Sequence, residues 1–133
     1  MGIKGTVGLR MGRTVEKTRA GGTWSEARYF SFIRSLLRRG FMKYPVKFQV
    51  KNEASRPYKG SDKRRKKEYQ CAVCSGWFAD KEVAVDHIVP CGSLKTYEDL
   101  PKFVATLFCE KENLQIICNT CHQIKTNEER ANR

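Results

Sequence analysis

Two features of this chain combine residue types and spacing suited to chemistry: the dipeptide Asp86-His87 and a matched set of cysteines. Asp86-His87 ends the β-branched run Val83-Ala84-Val85 and precedes Ile88-Val89-Pro90. The pair joins a hard anionic ligand to an imidazole, the side chain whose ordinary titration range lies closest to neutrality. Such a pair can hold a cation and accept a proton from water, although an aspartate there can also cap a strand end and a histidine can be a buried, hydrogen-bonded one. Cys71-Ala72-Val73-Cys74 and Cys118-Asn119-Thr120-Cys121 are two Cys-x2-Cys pairs separated by 43 residues. Each such turn presents two thiolates to one point, and four thiolates complete a tetrahedral zinc site. A redox role for Cys118 and Cys121 leaves the matching Cys71 and Cys74 unexplained, and a disulfide framework calls for an export signal. Cys91 and Cys109 lack such a partner and read as small buried apolar residues. His122 follows Cys121 directly; it can replace a cysteine at the zinc, but four cysteines already fill that cage and leave both His87 and His122 available.

Length and charge bound what must position these residues. A chain of 133 residues is one domain plus an extension, or two small units, with too little sequence for a large core in each, so help from a structural metal is expected. The net charge of +12 is uneven: residues 1–70 hold 19 Lys and Arg against 5 Asp and Glu, leaving 7 against 9 for residues 71–133. A basic half joined to a nearly neutral one suggests a phosphate-binding arm, because cationic side chains gain affinity by releasing counterions condensed on nucleic acid. A membrane surface carries less weight, since neither a lipidation signal nor a long apolar run accompanies the charge. Met1 to Arg10 contains no apolar stretch long enough for a signal peptide, and a cytoplasmic protein is expected, in the host cytoplasm if phage-encoded.

Residues 1–22, rich in glycine and basic side chains, read as a flexible tail. Trp24, Tyr29, Phe30, Phe32, Ile33, Leu36 and Leu37 then recur at mostly helical spacing, with Thr23 and Glu26 as a capping box and Gly40 as a stop, which predicts a helix over about 24–39. Its aromatic stripe suits core packing better than base stacking. Arg28, Arg34, Arg38 and Arg39 suit phosphate contact as well as solvation. Residues 41–60 fit a short strand or an extended crossing segment. The run 59–67 reads as a basic linker in which Lys63, Arg64, Arg65, Lys66 and Lys67 are poised for nucleic acid. Val83 to His87 and Leu114 to Ile117 read as two strands able to pair, and Pro101 with Phe103, Val104, Leu107 and Phe108 as a short helix between them. A final helix over Asn119 to Ala131 would turn Cys121 and His122 about 100° apart, one toward the zinc and one toward the hairpin.

The segment from Cys71 to Thr126 resembles the zinc-bearing HNH endonucleases, which have a ββα-metal active site. The resemblance is carried by the Cys71/Cys74 knuckle, by Val85-Asp86-His87-Ile88-Val89-Pro90, by Glu112-Asn113-Leu114-Gln115-Ile116-Ile117-Cys118 and by Cys121-His122-Gln123-Ile124-Lys125-Thr126. Its three letters fall at His87, Asn113 and His122. Trp24 to Pro45 is more loosely similar to the N-terminal part of small phage HNH proteins, homing endonucleases among them.

The resemblance implies a small α+β fold stapled by a four-cysteine zinc site, with a basic, partly helical N-terminal extension over 1–67 and a nuclease domain over 68–133. It implies a metal-dependent DNA endonuclease in which His87 is the general base, Asp86 and His122 hold a Mg²⁺- or Mn²⁺-like ion, and Asn113 braces the loop carrying the base. Cleavage would leave 5′-phosphate and 3′-hydroxyl ends, in a homing or packaging setting. Lys125 would contact phosphate or simply be solvated. Double-stranded DNA is the expected partner, bound by a monomer or a DNA-induced dimer, with no membrane involved. The alternative is a zinc-stapled DNA- or RNA-binding module without catalysis.

Overall fold

The computed structural model describes residues 14–132. Residues 1–13 of the expected tail lie outside that range. Within it the chain is a mixture of four α-helices and two small antiparallel sheets. Helices α1 (Glu26–Phe41) and α2 (Pro45–Glu53) lead into strands β1 (Ser55–Pro57), β2 (Lys67–Gln70) and β3 (Trp77–Phe78), which form one sheet in that order. Strand β4 (Val83–His87), helix α3 (Leu100–Leu107), strand β5 (Leu114–Cys118) and helix α4 (Asn119–Ala131) follow. β4 and β5 pair in the register Val83↔Cys118 through His87↔Leu114.

Several boundaries differ from expectation for identifiable reasons. Ser25, not Thr23, caps α1, its Oγ accepting from the Arg28 amide at 3.2 Å. Ala20, Gly21 and Gly22 all have positive φ and fold the preceding chain into a turn closed by the Arg19↔Trp24 bridge. There Thr23 donates to the Ala20 carbonyl, while Glu26 is held by Arg19 at 2.8 Å. The stretch from Arg19 is therefore docked rather than loose: the guanidinium lies 4.6 Å from the Tyr29 ring centroid and also donates to the Tyr97 hydroxyl. Gly40 does not stop α1. It lies within the helix, where a Cβ would make ordinary contact with the ring of Phe108 at 3.6 Å.

The segment expected as a strand or an extended crossing is helix α2. Extended Tyr44 precedes Pro45, whose fixed φ suits the first helical turn. Val46 and Val50, four residues apart, both reach the core, and Phe48 turns outward. The expected basic linker is instead the loop of a hairpin, because Ser55–Pro57 pair with Lys67–Gln70 across it.

Three apolar clusters hold these elements. Phe30 of α1 packs with Cys91, Leu94, Phe103 and Leu107; Val50 of α2 packs with Leu114 and Ile116; Ile117 packs with Cys71 and Cys118. Cys91 is buried in the first, and Cys109 packs against the second, as small apolar residues do. Phe41, at the end of α1, touches the first two clusters. Among the described residues no helix is long and apolar enough to cross a membrane.

Candidate functional site

The four cysteines converge. Cys71 and Cys74 lie on the turn between β2 and β3, Cys118 ends β5 and caps α4, and Cys121 sits in the first turn of α4. Their sulfurs all lie within 4.8 Å of one another, and the Cys74 and Cys118 sulfurs are 3.9 Å apart. Tetrahedral zinc–thiolate bonds of about 2.3 Å place sulfurs about 3.8 Å from each other, so the cluster can hold a metal ion such as zinc. Backbone amides already point at the sulfurs: those of Val73 and Cys74 at Cys71, and that of Cys121 at Cys118. Burial pushes the Cys71 thiol up, but the amides of Cys74, Cys118 and Val73 outweigh it and bring it down to about 6. Sharing a proton with the Cys118 sulfur, then burial, pushes Cys121 up to about 12.

On β4 successive side chains leave opposite faces. Asp86 points toward α4. Its Oδ2 accepts from Gln115 Nε2 at 2.9 Å and from Lys125 Nζ at 2.7 Å, and its Oδ1 lies 3.9 Å from His122 Nε2. Gln115 is its register partner on β5. Lys125, one turn after His122, also donates to the His87 carbonyl at 2.6 Å, so it is a half-buried clamp on the strand end rather than a solvated side chain. A cation held by Asp86 and His122 would find two convergent donors. No third His, Cys, Asp or Glu side chain joins them among the described residues.

His87 points to the other face. Its Nε2 lies 2.9 Å from the carbonyl oxygen of Leu107, at the end of α3, and its ring stands 4.8 Å from that of Phe41. A carbonyl oxygen only accepts, so Nε2 carries a proton, and in the neutral imidazole the lone pair is on Nδ1. Asn113 spans the turn that follows: its Oδ1 accepts from the Val89 amide at 2.8 Å, its Nδ2 donates to the Val89 carbonyl at 3.2 Å, and its own carbonyl accepts from the Ile88 amide.

The remaining basic residues expected to meet nucleic acid lie on α1 and around the β1–β2 loop. Arg28, Arg34, Arg38 and Arg39 are exposed along α1, with Arg28 over the Trp24 ring and Arg38 over that of Phe103. Lys63, Arg64 and Lys66 are exposed in the β1–β2 loop and Lys67 at the start of β2, whereas Arg65 is half-buried against Tyr58 and Glu68. An open groove of about 510 Å³ runs past Arg64, Arg65, Lys66, Lys67 and Lys81.

Sequence reasoning did not single out Gln115, Phe41, Tyr44 or the Leu107 carbonyl. Only Gln115 left a signal: pairing the two strands through their apolar residues brings it opposite Asp86. No protein-family model, curated protein or solved structure matches the chain.

Proposed function

We propose that the chain is a metal-dependent DNA endonuclease of the HNH type. The observation that carries this reading is the end of β4, where Asp86 converges with His122 and the next residue, His87, has its Nε2 proton committed and Nδ1 left to accept one. A general base needs a fixed lone pair and an orienting partner, and His87 has both. Asn113, closing the turn after His87 from both sides of Val89, keeps the strand end from fraying. A divalent ion held by Asp86 and His122 would supply positive charge to the phosphate oxygens and to the leaving 3′ oxygen. His87 takes the proton of the attacking water, and hydrolysis leaves 5′-phosphate and 3′-hydroxyl ends. Zinc in the four-cysteine cage is structural.

The basic β1–β2 loop and Lys81 would bind backbone phosphates. Lys81 lies in the short turn before β4, whose other end is His87; the strand itself spans about 13 Å at roughly 3.3 Å per residue, about four base pairs of duplex at 3.4 Å each. The substrate is double-stranded DNA, held by a monomer or by a dimer formed on it.

One observation favours the second reading, a zinc-stapled DNA- or RNA-binding module. Lys125 already neutralises Asp86, so this carboxylate is satisfied without a divalent ion. Incubating the zinc-loaded chain with supercoiled DNA and Mg²⁺ or Mn²⁺, beside His87→Ala, separates the two. Nicked or linear DNA is expected from the wild type, with loss of about 10²–10⁴-fold in rate but retained DNA binding in the variant. A wild type that binds DNA and leaves it intact with every divalent ion tried overturns the nuclease reading in favour of the binding module.

A further inference from the structure

We infer that Tyr44, with Phe41 beside it, is a positioning residue for His87, so that the segment joining α1 to α2 sets the proton and the orientation of the base. The inference rests on the nuclease reading for its catalytic meaning, but its geometry stands independently. The last carbonyls of a helix have no partner inside it. At the end of α3 that of Leu107 is taken by His87 Nε2, and the next two are gathered by one side chain: Tyr44 Oη lies 3.0 Å from the Phe108 oxygen and 2.9 Å from the Cys109 oxygen. One hydroxyl proton shared between successive carbonyls requires the chain to leave the helix sharply, and Phe108 has φ −98° and ψ 61°.

The rings complete the arrangement. Tyr44 packs 5.3 Å from Phe108 and 5.9 Å from Phe41, whose ring stands 4.8 Å from the imidazole at a tilt of 46°. His87 is thus held at its Nε2 edge by the Leu107 carbonyl, whose two successors Tyr44 gathers, and flanked by a phenyl that Tyr44 backs. Burial, then the nearby Glu110 carboxylate, pushes the Tyr44 phenol up, so it remains an O–H donor through the neutral range. Losing the hydroxyl frees Phe108 and Cys109 to relax, and with them the Leu107 carbonyl that selects the Nε2–H form.

Imidazole ¹⁵N spectra of the zinc-loaded full chain test this. Only His87 and His122 contribute, and a His122→Asn variant assigns them. The wild type is expected to hold His87 in the Nε2–H form. Tyr44→Phe, which keeps the ring, should give a mixture of tautomers and lower kcat by about tenfold with KM for DNA unchanged, because orientation rather than binding is lost. Ile117→Val, a change in the third cluster, should lower the melting temperature and leave the tautomer alone.

A wild-type His87 protonated on Nδ1 overturns the inference, and that spectrum decides even if Tyr44→Phe fails to fold. An unaltered tautomer in folded Tyr44→Phe overturns it too. If the wild type cuts DNA but Tyr44→Phe keeps both tautomer and kcat, the clamp falls and the nuclease reading stands. If the tautomer responds but the wild type cuts no DNA, the clamp stands and the nuclease reading falls.

Discussion

Asp86 is the most contested residue in the molecule. Its side chain is only 10% exposed and accepts from two donors, the Gln115 amide and the Lys125 ammonium, with the His122 imidazole 3.9 Å away. A divalent ion binding there must share the carboxylate with an ammonium already at 2.7 Å, and like charges at that range oppose each other. Lys125→Met removes the competing charge while keeping much of the apolar stem. We expect Mn²⁺ to bind the zinc-loaded variant about tenfold more tightly, the size of effect that one neighbouring charge has on a carboxylate's affinity for a cation. Titration followed by Mn²⁺ electron paramagnetic resonance measures it. Equal affinity in the two proteins would mean that Lys125 swings aside without cost, and weaker binding that it helps to build the site.

At the scale of elements the decisive unit is the β4–β5 hairpin with α4, joined to the β2–β3 turn through the four cysteines. In the metal-free cluster Cys121 holds its proton up to about 12, whereas Cys71 gives its own up near 6. Binding zinc requires thiolates, so it expels the Cys121 proton across the working range and, below about 6, that of Cys71 as well. Zinc affinity should therefore fall as pH is lowered from about 8, and fall more steeply below about 6, with the melting temperature following it. Competition with a chromophoric chelator at a series of pH values reads this directly; an affinity independent of pH would exclude thiolate ligation. The hairpin and α4 were legible in the sequence because their apolar residues repeat and because chemistry marks their ends. α2 was not: apolar residues at 46, 48 and 50 alternate as in a strand, and only packing of Val46 and Val50 on Ile116 selects the helix. Thr23 and Ser25 are both good caps, and the turn closed by Arg19 chose between them. The partner of His87 was illegible for a different reason, since a backbone carbonyl has no residue type to recognise.

For the whole molecule, charge and packing divide the chain in different places. The basic excess ends near residue 70, which suggests an arm carried by a separate domain, yet the interior ignores that line. Phe30 and Val50, from the basic half, complete the two clusters that also bury Leu94, Phe103 and Leu107, and Leu114 and Ile116. β1 pairs with β2 across the same point. Only the cluster of Cys71, Ile117 and Cys118 lies wholly in the later part. A fragment of residues 68–133 would lose half of the β1–β2 ladder, the helix α1 that packs on α3 and the helix α2 that packs on the hairpin, and apolar burial worth about 2 kcal/mol for each large core side chain, against a typical total stability of about 5–15 kcal/mol. Zinc closes one end of such a fragment but cannot supply a cover for Leu107 or Leu114. We expect the zinc-loaded fragment to lack a cooperative thermal transition and to give poorly dispersed amide spectra, while residues 14–132 melt as one unit. A fragment that melts cooperatively within a few degrees of the full chain would show that the basic half is an appendage after all. The expected result would place α1 and α2 among the walls of the site, where Phe41 and Tyr44 already stand against the imidazole and the end of α3.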